Sequence, residues 1–98
     1  MNRFVVAIVY LGVTASACQA ESGLASYYSA TAHGGELTCA HRTRPFGSMA
    51  TVTYGAKSIR CRVNDRGPFI RGRVIDVSIG AARALGMMGA GVVQVVVE

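Results

Sequence analysis

From Gly23 onward, β-branched and aromatic residues gather in short runs separated by glycine-bearing turns: Leu24–Tyr28, Ala50–Tyr54, Ser58–Asn64, Val74–Val77 and Val92–Val97. Runs of this length and composition predict strands. Within Ser58–Asn64, Ile59, Cys61 and Val63 alternate with Arg60, Arg62 and Asn64, which puts an apolar row inward and a polar, basic row outward. Tyr54-Gly55-Ala56-Lys57 reads as a tight hairpin connection. One helix follows the fourth run. Ser78 can cap it, Ile79, Ala82, Ala84 and Leu85 supply its apolar stripe, Arg83 lies in its last turn and Gly86 can end it. At about two turns it cannot stand alone, so it must pack on a β core. The pattern is that of a small all-β barrel with one short crossover helix, and closure would also remove exposed strand edges.

The first twenty residues follow a different rule. Arg3 precedes an uncharged stretch from Phe4 to Val13, and the small residues Ala15, Ser16, Ala17 and Ala20 come next, which is the layout of a secretory signal. The apolar part is too short for a spanning helix, which needs about twenty such residues. Residues 1–20 are therefore expected to be removed and residues 21–98 to form one domain. Cleavage after Ala17 is the alternative, and it would leave Cys18 at the new N-terminus, where a bacterial lipoprotein is lipidated. Either cut exports Cys39 and Cys61 to an oxidising compartment, where a disulfide between them is expected. It would close a loop of about 22 residues and stabilise the fold by roughly 3 kcal/mol.

Composition narrows the function classes. A chain of 98 residues, 51% apolar and 15% charged, has room for one core and too little charge for disorder. Its net charge of +5 suits an anionic polymer, and export removes nucleic acid from the choices. Cys39 and Cys61, which form no Cys-x-x-Cys pair, and two unpatterned histidines give no metal site, and nothing in the sequence implies a cofactor.

The densest chemistry lies in Asn64-Asp65-Arg66-Gly67-Pro68-Phe69, a strand end running into a turn. Gly67 tolerates positive φ there, and Asp65 either caps its own backbone or presents a carboxylate to a groove. Asp76, set in an apolar run just before the helix, is expected to be structural, accepting hydrogen bonds from the helix start or pairing with Arg73. His41 and Glu36 are not diagnostic by themselves.

Four ordered blocks carry a resemblance. Gly23-Leu-Ala-Ser-Tyr-Tyr28, Leu37-Thr-Cys-Ala-His-Arg-Thr-Arg-Pro-Phe-Gly47, Val63-Asn-Asp-Arg-Gly-Pro-Phe-Ile-Arg-Gly-Arg-Val-Ile-Asp-Val-Ser78 and Ala81-Ala-Arg-Ala-Leu-Gly-Met87 resemble the rare lipoprotein A family. The resemblance implies a six-stranded double-psi β-barrel with a substrate groove across one face. It also implies an exported lytic transglycosylase of the bacterial periplasm or cell envelope, free or lipid-anchored, acting on peptidoglycan glycan strands that lack stem peptides. Such enzymes break the β-1,4 bond from N-acetylmuramic acid to N-acetylglucosamine and leave a 1,6-anhydro end. By the same resemblance Asp65 is the catalytic aspartate, His41 the active-site histidine and Glu36 the catalytic glutamate, although the segment from Glu36 to Thr38 is shorter than in the family. Tyr28 could stack on a sugar face, and Arg42, Arg44, Arg66 and Arg71 could meet the lactyl carboxylates of muramic acid. A monomer is expected, and with no glycan-binding domain after Glu98 any targeting would fall to a separate partner. The alternative is a non-catalytic wall-binding module, since expansin-like and barwin-like domains share the barrel; an inhibitor on the same scaffold is a more distant third.

Overall fold

The computed structural model of the chain describes residues 20–29 and 36–98. The signal segment, its cleavage site and Cys18 lie outside the described residues apart from Ala20. Six strands and one helix follow in order: β1 (Glu21–Tyr28), β2 (Thr38–Ala40), β3 (Met49–Tyr54), β4 (Lys57–Asp65), β5 (Arg73–Ser78), α1 (Ile79–Leu85) and β6 (Val93–Val97). They close into a barrel in the order β1-β5-β2-β4-β3-β6. β1 with β5 and β2 with β4 are the parallel pairs, and every other neighbouring pair is antiparallel. Parallel neighbours need crossover connections, and two such crossovers lock into the double-psi arrangement.

The barrel is narrow because its inward residues are small. Ala25, Cys39, Ala50, Val52, Cys61, Val63, Ile75, Val77, Val93, Val95 and Val97 fill it, all buried. Alternation along β6 is strict, with Val93, Val95 and Val97 buried and Gln94 and Val96 exposed. Cys39 and Cys61 form the expected disulfide inside this core, their Cα atoms 5.8 Å apart. The β3–β4 hairpin turns through Gly55 and Ala56, and Gly55 takes a φ of 60°, which suits the first central position of a tight hairpin.

Helix α1 sits as its sequence signals require. The Ser78 hydroxyl accepts from the Ala81 amide at the N-terminus. At the other end Gly86 adopts φ 76°, its amide donates to the Arg83 carbonyl and the Met87 amide donates to the Ala82 carbonyl, the bond pair of a Schellman stop. Ala81, Ala82, Leu85 and Met87 cover one side of the barrel core, whereas Ala84, expected on the apolar stripe, faces solvent and Ala81 takes its place on the buried face. Tyr27 also packs against this core, and its hydroxyl reaches the Met88 carbonyl.

Candidate active site

The site grows from one short strand. Ala40, the last residue of β2, pairs with Asp65 on β4 and with Asp76 on β5. The β2–β4 register slips between Cys39 and Ala40, so that Cys39 faces Val63 and Ala40 faces Asp65. A bulge of this kind re-aims side chains, and here Asn64 and Asp65 are both exposed where alternation would have turned one of them inward. Asp76 lies between the buried Ile75 and Val77 and therefore also faces outward. Ser26 on β1 pairs with Asp76. An outer row Ser26–Asp76–Ala40–Asp65 thus crosses four strands. With strands about 4.8 Å apart, the two aspartate Cα atoms stand about 10 Å from each other.

The carboxylates are held differently. Asp65 Oδ1 accepts from the Arg66 amide at 2.8 Å, a local contact that fixes its direction and leaves the side chain in solvent. Asp76 accepts from the Ser26 hydroxyl. This corrects the expected partner of Asp76, which is neither the helix start nor Arg73; cross-strand register decides the contact, and Ser78 caps the helix alone.

His41 is 3% exposed and every ring nitrogen is engaged. Its amide donates to the Asp65 carbonyl at 3.1 Å, which ties it to the aspartate row. Nδ1 accepts from the amides of Thr43 and Arg44, each at 3.1 Å. A nitrogen that accepts carries no proton, so Nε2 bears it and donates to Glu21 Oε1 at 2.7 Å. Arg44 donates to the same oxygen at 3.2 Å. Burial works to raise the Glu21 carboxyl, but the hydrogen bond and electrostatic attraction of His41, followed by those of Arg44, outweigh it and hold the group below its ordinary value of 4.5. A carboxyl lowered in the folded state gives stability that is present above the unfolded value and lost as pH falls through the folded one. The melting temperature should therefore fall more steeply from about pH 4.5 downward in the unmutated protein than in Glu21→Gln, and parallel curves would exclude this linkage.

An open groove of about 730 Å³ lies against this cluster, with Glu21, His41, Arg44, Thr51, Arg60 and Glu98 among its walls. The β2–β3 loop forms one side of it. That loop is pinned by Arg66, whose Nη1 donates to the carbonyls of His41 at 3.1 Å and Arg44 at 2.7 Å and whose guanidinium covers Phe46 at 4.1 Å. Gly67 follows with φ 117°, a conformation only glycine adopts readily, and turns the chain away from the row.

The remaining sequence candidates are spread around this centre. Glu36 makes a two-pronged ion pair with Arg62, at 2.7 and 2.8 Å, and its hydrogen bonds and charge push the Arg62 guanidinium further above its ordinary range. Arg62 is three residues before Asp65 on β4, about 10 Å along the strand. Tyr28 is half-buried and its hydroxyl meets Thr38 Oγ1 at 3.1 Å. Of the four arginines named from sequence, Arg44 lines the groove, Arg66 turns back onto the loop, and Arg42 and Arg71 are exposed. Three groups escaped the sequence reading: Glu21, Arg60 and the alignment of Asp76 with Asp65. Arg60 stood on the predicted outward row of β4, but the groove it lines is made only where the β2–β3 loop, Thr51 and Glu98 come together with it. Among the described residues no cluster of three or more His, Cys, Asp or Glu side chains is set to hold a metal ion.

The barrel has known counterparts. Over 64 residues the chain is 56% identical to a probable endolytic peptidoglycan transglycosylase RlpA of Nostoc, covering 63% of this chain and 17% of that protein. Over 91 residues it is 44% identical to the endolytic peptidoglycan transglycosylase RlpA of Vibrio cholerae, covering 80% of this chain and 35% of the other. The chain thus spans about a third or less of these relatives' length. Among solved structures it resembles the expansin of Clavibacter michiganensis, with a TM-score of 0.69 at 21% identity over 82% of this chain and 50% of that one. It likewise resembles the Streptomyces papain inhibitor, with a TM-score of 0.66 at 24% identity over 82% of this chain and 93% of that one. These two likenesses establish the fold alone. A family profile described as lytic transglycolase matches residues 20–97, and the chain belongs to that family of double-psi β-barrel domains.

Proposed function

We propose that this barrel is the catalytic domain of an exported lytic transglycosylase that cuts peptidoglycan glycan strands lacking stem peptides in the bacterial envelope. The observation that carries the reading is the pair of outward carboxylates, Asp65 and Asp76, standing on either side of Ala40, the residue before the fixed His41 that lines the groove. The reaction needs two such groups. One, as the acid, gives its proton to the glycosidic oxygen as the bond from C1 of N-acetylmuramic acid breaks, freeing O4 of N-acetylglucosamine as a hydroxyl. The other takes the proton from the 6-hydroxyl of the muramic acid as that oxygen bonds to C1. No water is consumed, and the ring closes as the 1,6-anhydro sugar. Oxocarbenium-like charge at C1 is stabilised by the ionised carboxylate.

Family resemblance assigns the second carboxylate to Glu36. Its pairing with Arg62 favours Asp76 in that role, because Glu36 would first have to leave two charge-assisted hydrogen bonds. His41, with both ring nitrogens engaged, serves the site by position and not by carrying the transferred proton.

The test is mass spectrometry of purified glycan strands, with and without stem peptides, after incubation with the protein. New 1,6-anhydromuramyl ends, more abundant on stripped strands, are the expected result. Intact strands that nevertheless retain the protein would replace this reading with that of a wall-binding barrel.

A further inference from the structure

Glu21 has an unequal pair of carboxylate oxygens. Oε1 receives both His41 Nε2–H and Arg44 Nη2, while Oε2 has no hydrogen-bond partner among the described residues. The side chain is 35% exposed and lines the groove. Both of its holders are themselves fixed: His41 by two loop amides at Nδ1, and the Arg44 backbone by the Arg66 bond to its carbonyl. A carboxylate oriented this firmly, with one oxygen aimed at open space, has the form of a binding group. We propose that Glu21 is a substrate-binding residue whose Oε2 accepts a hydrogen bond from a neutral donor of the bound glycan, a ring hydroxyl or an acetamido N–H.

Charge selects the ligand class. Arg44 already balances Glu21, so a cationic ligand gains little from it, and Glu98 offsets Arg60 in the same groove, so an anion gains little there either. A neutral sugar donor needs only a lone pair, and a bond to an ionised acceptor is about twice as strong as one to a neutral acceptor. The division of labour among the groups follows. His41 is a positioning residue for Glu21, held through a chain of hydrogen bonds that begins at the Asp65 carbonyl. Substrate bound at Glu21 would thereby be registered against the aspartate row.

The inference rests on the proposed transglycosylase reading, and the experiment separates the two. Glu21→Gln keeps an oxygen for His41 Nε2–H and turns an amide –NH2, a donor, toward the groove. Binding of a stem-peptide-free tetrasaccharide of alternating N-acetylglucosamine and N-acetylmuramic acid is measured in an Asp65→Asn background, so that the sugar is not consumed. The ring ¹⁵N shifts of His41 are recorded in the same samples, and cleavage by the unmutated protein is assayed alongside. The expected result is binding weakened about tenfold or more by Glu21→Gln, with the His41 tautomer unchanged. Equal binding overturns the proposal while leaving the enzyme reading in place. Weakened binding accompanied by a changed His41 tautomer also overturns it, since Glu21 would then act only on the histidine. Neither binding nor cleavage by any form would remove the transglycosylase reading and this proposal together.

Discussion

Asp65→Asn is expected to lower the rate of anhydromuramyl-end formation by two to four orders of magnitude while leaving the melting temperature within a degree or two. The separation of the two effects follows from the geometry. Asp65 is exposed at the end of β4, and its Oδ1 accepts only the adjacent Arg66 amide, a bond that the asparagine oxygen can make equally well. Its backbone carbonyl, which holds the His41 amide, is untouched by the change. What is lost is a group able to give or take a proton, and proton transfer in the transition state is worth about 10²–10⁴ in rate. Asp76→Asn should behave similarly, since the asparagine oxygen can still accept from Ser26. Glu36→Gln provides the contrast. If Asp76 is the partner of Asp65, breaking the exposed Glu36–Arg62 pair should change the rate less than about threefold, because the pair is solvated and screened and Arg62 stands three residues before Asp65 on β4. A Glu36→Gln protein as inactive as Asp65→Asn would return the second role to Glu36, and an active Asp65→Asn protein would remove the mechanism.

How much of this was legible in the sequence depends on the range of the interaction involved. The α1 helix was readable from Ser78 to Gly86 because caps are local, and the structure bears out both ends down to the bonds at Gly86, while its buried face is Ala81, Ala82 and Leu85 and the expected Ala84 is exposed. The alternation of β4 was readable for the same reason, since period two is a property of a single strand. Strand β2 was not: Thr38-Cys39-Ala40 is too short to show a period, and only pairing with β4 and β5 on both sides makes it a strand. The aspartate row shares that origin. Asp65 could be picked out from its turn and its family block, but its alignment with Asp76 is set by two registers meeting at Ala40, one of them bulged. Glu21 was hidden for another reason. Its place directly after the expected signal cleavage site accounted for it fully, and nothing local indicated that it would meet a histidine twenty residues away. Arg66 shows the converse, a cation whose sequence context suggested a ligand and whose guanidinium instead braces the loop beside the site.

Cys61→Ser should cost about 3 kcal/mol or more of stability and lower the melting temperature by roughly 12–24 °C. The bridge closes a loop of 22 residues between β2 and β4, and by loop entropy alone such a cross-link is worth roughly 3 kcal/mol. The native side of the balance adds to this. Both sulfurs lie in a fully buried core of alanines and valines, so serine would bring a hydroxyl into a space with no group arranged to meet it. The effect should reach the site as well, because Cys39 immediately precedes Ala40, the residue that aligns the two aspartates, and β2 has only three residues to hold its place. Comparison with a Cys39→Ala/Cys61→Ala double variant divides the causes. If the cross-link dominates, the double variant should lose nearly as much as Cys61→Ser, and reducing agent should have no further effect on either. An unmutated protein whose melting temperature ignores reductant, together with a Cys61→Ser protein that melts where it does, would show that the barrel's apolar packing holds β2 without the bridge. Between those results lies a direct measure of how far a three-residue strand depends on a covalent tie to present Asp65 and Asp76 in one row.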